Sequence, residues 1–140
     1  MKIYVSHPIR GLKGKDASEN DIVGNLFAAR VVAGIYKDWF PNIDFYVPAE
    51  HHDFINRAYE KGYLSIQQIL EIDCDILKEC DGVIFHNPED LFSHGMAVEK
   101  IGADRNKIPH IVIYGAATLP DMRNSIEKLI DSIKESYGKV

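Results

Sequence analysis

The sequence predicts an α/β fold: a mostly parallel sheet of four to five strands with helices packed on its faces. Three observations predict it. Short apolar runs alternate with longer segments of helical period, and that alternation demands crossover connections between parallel strands. The runs are apolar throughout rather than at every second residue, as strands are when both faces are covered. A chain of 140 residues suits one core. The expectation is therefore a single domain over residues 1–140, of the flavodoxin-like or Rossmann-like three-layer kind.

The first strand is Lys2 to Ser6, an apolar run that stops at His7-Pro8, where a turn must begin. Residues 10–19 mix glycines, lysines and acids and read as a loop. Asn20 or Asp21 is placed to cap a helix over residues 21–38, with Ile22, Val23, Leu26, Ala29, Val32, Ala33 and Tyr36 at helical spacing. Ile43 to Val47 is β-branched and aromatic, a second strand that Pro48 ends. Residues 49–62 read as a short helix or ordered loop closing at Gly62, and Leu64 to Glu79 as a helix. Gly82 to Phe85 is the third strand, followed by an Asn87-Pro88 turn and a helix from Ser93 to Arg105. His110 to Tyr114 is the fourth strand, and Pro120-Asp121 leads into a last helix through about Ser136.

In open parallel sheets, ligands bind where the strands run out into loops at their carboxyl ends. Residues 6–11, 48–53, 86–99 and 114–118 meet that description. No glycine fingerprint for a dinucleotide opens the first helix, and there is no phosphate-loop sequence of the Walker type. The formal net charge of −5 argues against a general nucleic-acid surface, so no polymer partner is expected. No apolar run approaches the roughly 18 residues of a membrane span, and the amino terminus turns polar at once, so neither a membrane nor a signal peptide is expected and the cytoplasm is the default compartment. Cys74 and Cys80 fit no zinc or redox spacing and read as reduced thiols. The six histidines form no metal-binding pattern, and neighbours such as His51 and His52 point apart on a helix. Neither a metal nor an organic cofactor is expected.

Glu99 lies inside the helix that starts near Ser93, among the apolar residues Met96, Ala97 and Val98. It is either a buried, functional carboxylate or a helix-surface charge paired near Lys100 or Arg105. Asp73 lies a little over two turns before Asp81, which would put it near the carboxyl edge of the sheet; Asp75 reads as surface and Asp81 as a tie for the helix-to-strand turn. Ser93 and Gly95, at a helix start, suit an anion as well as a plain N-cap. Arg10 and Gly11, just after the first strand, are a second anion contact or an exposed loop charge. Tyr4 on its own reads as a core aromatic.

Taken together these residues resemble a known family. The order Tyr4-x-Ser6-His7-Pro8-Ile9-Arg10-Gly11, then Asp73, then Cys80-Asp81-Gly82-Val83-Ile84, then Ser93-x-Gly95-x-x-x-Glu99 is similar to the nucleoside 2-deoxyribosyltransferase superfamily. The nearest likeness is to its 2'-deoxynucleoside 5'-phosphate N-hydrolases, over residues 2–114. The resemblance implies cleavage of the N-glycosidic bond of a (deoxy)nucleoside 5'-monophosphate through a sugar bound to Glu99. It implies Asp73 as the acid for the leaving base and Tyr4 as the residue that steadies the nucleophile. It places Arg10, Gly11 and Ser93 on the 5'-phosphate. Ser6, His7, Ile9, Asn87 and Gly95 complete the expected substrate-binding set, with His7, His51 and Phe85 nearest the base. It also implies a homodimer or a dimer of dimers, and the apolar face of the helix over 64–79 is the expected contact. Base exchange by a deoxyribosyltransferase and a non-catalytic nucleotide-binding module are the alternatives on the same residues. Two departures from the family pattern are His7, where glycine is usual, and the longer, acidic loop carrying Pro88, Glu89 and Asp90.

Overall fold

The computed structural model describes residues 1–138. Strands β1 (Lys2–Ser6), β2 (Asp44–Tyr46), β3 (Gly82–Asn87) and β4 (His110–Tyr114) form one parallel sheet in the order β2–β1–β3–β4. Helices α1 (Glu19–Trp39), α2 (His52–Glu60), α3 (Ile66–Lys78), α4 (His94–Arg105) and α5 (Leu119–Gly138) make the connections and the outer layers. The register sets Tyr4 of β1 beside Tyr46 of β2 and Val83 of β3.

Alternation along the strands divides the interior into two cores, which makes the fold three-layered. Ile3, Val5 and Ile84 point into a core with Leu26, Ala29, Ala33 and Tyr36 of α1 and Ile126, Leu129 and Ile133 of α5. Tyr4, Val83 and Phe85 point the other way, to Leu77 of α3 and to Met96 and Ala103 of α4. The second core is the smaller one, and the polar candidates gather on its side. No helix among the described residues is long and apolar enough to cross a membrane.

Several boundaries differ from the sequence reading, each for a local reason. Ser18, not Asn20 or Asp21, caps α1: its hydroxyl accepts from the Asp21 amide at 3.0 Å, and the Asp21 carboxylate accepts from the Ser18 amide at 2.9 Å. The stretch expected as plain loop holds a 3-10 segment over Gly11–Asp16. Residues 49–62 resolve into a 3-10 turn, Pro48–His51, followed by α2, and Gly62 then turns the chain at φ 74°. Ser65 caps α3 with Gln68 closing the box, so the helix starts two residues after Leu64. β3 continues to Asn87 because β4 pairs with it as far as Tyr114. α5 begins at Leu119 and reaches Gly138, beyond the expected Ser136. Asp81 is a tie, as read from its position: its carboxylate accepts from the Lys2 amide at 2.7 Å, and its amide donates to the Lys2 carbonyl at 2.8 Å. Both cysteines are free, Cys74 half-buried and Cys80 buried.

Candidate active site

β1 delivers two polar side chains to the α3–α4 face, because residues two apart on a strand share a face. They are Tyr4 and Ser6, both fully buried. α4 brings Glu99 to the same place. Met96, Glu99 and Ala103 are its buried residues and lie three and four apart, so a carboxylate occupies the apolar stripe of the helix. α3 repeats the device: Leu70, Asp73 and Leu77 share its inward side, with Asp73 half-buried. The α3–α4 packing therefore brings together two carboxyl groups that are 26 residues apart in the chain.

Glu99 is 7% exposed, and its Oε1 accepts from the Ser6 hydroxyl at 3.3 Å. Its Oε2 and the Tyr4 hydroxyl are both buried without a hydrogen-bond partner. The hydroxyl nevertheless lies close enough to favour the ionised carboxylate. Burial lifts the Glu99 pKa to about 8, against the Tyr4 and Ser6 hydroxyls and with the charge of Asp73. Burial alone lifts Asp73 to about 6. Asp73 ionises first, so its charge acts on Glu99 while Glu99, still protonated, exerts none in return. Burial and the neighbouring carboxylates hold the Tyr4 phenol well above its usual range, so it remains a donor. Lys100, one residue after Glu99, pairs with Asp104 at 2.8 Å and not with Glu99.

An aromatic row lines one side of this pair. Tyr4 stacks on Tyr46 with centroids 5.5 Å apart, and Tyr46 stacks on His51 at 5.1 Å. Burial and then the Asp73 charge raise the Tyr46 phenol, which places its hydroxyl in the field of Asp73. Tyr46 was missed in the sequence because strand two read as core. The signal that finds it is the parallel register that sets it beside Tyr4.

The other expected residues are placed differently. Both ring nitrogens of His7 have backbone partners: Nε2 accepts from the Ala49 amide at 3.0 Å, and Nδ1 donates to the Pro8 carbonyl at 3.3 Å. It pins the end of β1 to the turn after β2, and neither nitrogen is free to meet a base or a phosphate. Ile9 packs against the α1–α5 core, and its carbonyl accepts from Asn25 at 2.9 Å, so it lies on the opposite face from Glu99. Asn87 is buried, and in the amide orientation that satisfies both its ends it donates to the Leu91 carbonyl and accepts from the Leu91 amide, 3.3 Å each. Phe85 is fully buried under Phe92, with centroids 5.5 Å apart, and is core rather than a wall for a base. Ser93 caps α4 by accepting from the Met96 amide at 3.4 Å, and Gly95 faces Leu70 of α3. Arg10 is exposed, without an ion-pair partner among the described residues. Gly11 is buried in the turn beside it.

No group of three or more His, Cys, Asp or Glu side chains among the described residues is arranged to hold a metal ion. A groove of about 470 Å³ opens at the other end of the sheet, between Trp39, Phe40 and Ile43 on one side and Ile130 and Lys134 of α5 on the other. Its ionisable residues Glu127, Asp131 and Lys134 are exposed, so size alone does not make it a centre of chemistry. Comparison with protein-family models, with curated proteins and with solved structures found no match.

Proposed function

We propose that this protein cleaves the N-glycosidic bond of a nucleoside or nucleoside 5'-monophosphate, with Glu99 as nucleophile and Asp73 as acid. The observation that carries the reading is the buried Glu99 carboxyl, with one oxygen held by Ser6, the other unpartnered, and the Tyr4 hydroxyl acting on the group. A buried carboxyl on the apolar stripe of a helix costs stability, and it sits at the carboxyl edge of the sheet, where ligands bind in this architecture.

The chemistry follows from the two carboxyls. Ionised Glu99 attacks the anomeric carbon through Oε2, and the carbon–nitrogen bond breaks with its electron pair going to the base. Protonated Asp73 gives its proton to the departing base. Water then attacks the same carbon, its proton returns to Asp73, and Glu99 leaves as carboxylate. The Tyr4 hydroxyl, turning onto Oε2, favours the ionised form in which Glu99 starts and ends. Transfer to a second base in place of water uses the same groups and is the second outcome to assay.

The test is release of free base from a panel of nucleosides and their 5'-monophosphates, ribo and deoxy, with Glu99→Gln as control. The reading expects cleavage of at least one member and a fall in kcat of roughly 10²-fold or more in the variant. No free base from any member, or equal rates in wild type and variant, would rule it out. The homodimer expected from the resemblance would use the outer side of α3, where Ile66 and Ile72 are exposed; sedimentation of a monomeric mass at working concentration would exclude it.

A further inference from the structure

The segment from Pro88 to Phe92, between β3 and α4, is tied down at three points. Asn87, in the amide orientation that satisfies both its ends, holds Leu91. The Asp90 carboxylate accepts from the Gly115 amide, after β4, at 3.1 Å. The Glu89 carboxylate accepts from the Leu12 amide, after β1, at 3.2 Å. Two glycines make room for this strap. A Cβ on Gly11 would collide with the Glu89 carboxylate, and one on Gly115 would stand 2.5 Å from the Pro88 carbonyl oxygen. The strap therefore spans the carboxyl edge from the turn after β1 to the turn after β4, and it runs directly into the helix that carries Glu99.

The turn that Glu89 touches is the one that follows Ser6. Arg10, exposed and unpaired among the described residues, is a cation of that turn, and it lies close enough to His52 for its charge to lower that imidazole further, after burial and Arg30. Because this turn follows directly on Ser6, the partner of Glu99, we take an anionic group on a ligand seated at Glu99 to face it. Glu89 already holds a negative charge at that place, with no cationic partner of its own among the described residues.

We propose that Glu89 is a specificity-determining residue set against phosphate: its carboxylate occupies the Gly11–Leu12 turn, and a phosphate-bearing ligand enters only by displacing it. The inference rests on the reading that a nucleoside-type ligand sits at Glu99. It makes the strap a filter that admits an uncharged nucleoside more readily than its 5'-monophosphate. Like charges a few ångströms apart near a protein surface repel by enough to change affinity about tenfold at low salt.

The experiment is titration of the full chain with inorganic phosphate, wild type against Glu89→Gln and Glu89→Ala, followed by calorimetry and by the Leu12 amide resonance. Gln keeps an acceptor for the Leu12 amide and removes the charge, and Ala removes both, so a folding defect in one variant leaves the other to decide. The expected result is roughly tenfold tighter phosphate binding in the variants, with the Leu12 resonance moving on titration and the gap narrowing in 1 M salt, where the screening length is about 3 Å. Equal or weaker phosphate binding in the variants, or a gap indifferent to salt, would overturn the inference. Tighter binding in the variants from a protein that cleaves neither nucleosides nor nucleotides would leave Glu89 as the phosphate filter and sink the glycosidase reading alone. If cleavage occurs, the same change raises kcat/KM for a monophosphate relative to its nucleoside.

Discussion

Tyr4→Phe removes one oxygen from a buried site and nothing else. The ring keeps its place against Tyr46 and only one hydroxyl is lost, so the fold survives. The effect is on Glu99. Its pKa stands at about 8 with the Tyr4 hydroxyl as the leading influence that lowers it, and Asp73 stands at about 6. Loss of a hydrogen-bonding group that favours the charged form raises a carboxyl by roughly one unit, or about 1.4 kcal/mol. The proposed mechanism needs Glu99 ionised and Asp73 protonated, the reverse of the order in which they titrate. At pH 7 about a tenth of each is in the required form, so roughly one molecule in a hundred is active, and that fraction is flat between the two pKa values. The profile of kcat/KM against pH therefore has an acid limb near 6 and an alkaline limb near 8, both belonging to the pair. In Tyr4→Phe the alkaline limb moves up by about one unit and the plateau falls about tenfold. The assay is base release from pH 5 to 9.5 in both proteins. An alkaline limb that moves while the plateau stays level would refute the assignment, because it would make Glu99 the acid and Asp73 the ionised partner. Limbs and plateau that both stay put would mean that Tyr4 does not act on Glu99.

Glu99→Gln should stabilise the protein as it inactivates it. The folded pKa of Glu99 is raised from 4.5 to about 8, so its contribution is fully present below the unfolded value and is lost as pH climbs towards 8. Replacement should add on the order of 3 kcal/mol at pH 7 relative to pH 4, read by urea melts at both pH values. His7 has the opposite slope. Burial lowers it from 6.5 to about 4, so its contribution is present above 6.5 and is lost as pH falls to 4. His7→Ala should remove that slope and cost about 2–3 kcal/mol at neutral pH through the orphaned Ala49 amide and the space left behind, with urea midpoints as the measure. The two slopes oppose each other in the wild type, so each is read as variant minus wild type, and a variant that leaves the slope intact counts against the residue concerned. Asp73→Asn should slow cleavage least for a substrate whose base leaves readily without a proton, and an equal loss for good and poor leaving groups would remove Asp73 as the acid.

Local sequence determined the elements and one half of the site. Strands β1 and β3 are legible as short apolar runs because both their faces are buried, the edge strand β4 is legible as an apolar run though only half-buried, and α1, α3, α4 and α5 are legible as segments of helical period because each buries one stripe. Glu99 stands out in the sequence because it interrupts such a stripe, between Met96 and Ala103. Caps and ends were legible only approximately: Ser18 caps α1 because Asp21, three residues on, closes the box back onto the Ser18 amide. What the tertiary structure alone decided is which distant groups meet. Asp73 belongs with Glu99 because α3 packs on α4, and Tyr46 joins Tyr4 through a strand register that is 42 residues wide in the chain. His7 turns from candidate ligand contact to structural pin because the Ala49 amide arrives from another crossover. Glu89, acidic and in a loop, has no periodicity to betray it, and its meaning comes from the Leu12 amide on the far side of the sheet edge. Periodicity reports which side of an element is buried; it carries no information on what that side is buried against, and a pKa shift, an occupied nitrogen or a charge across a turn depends on the partner.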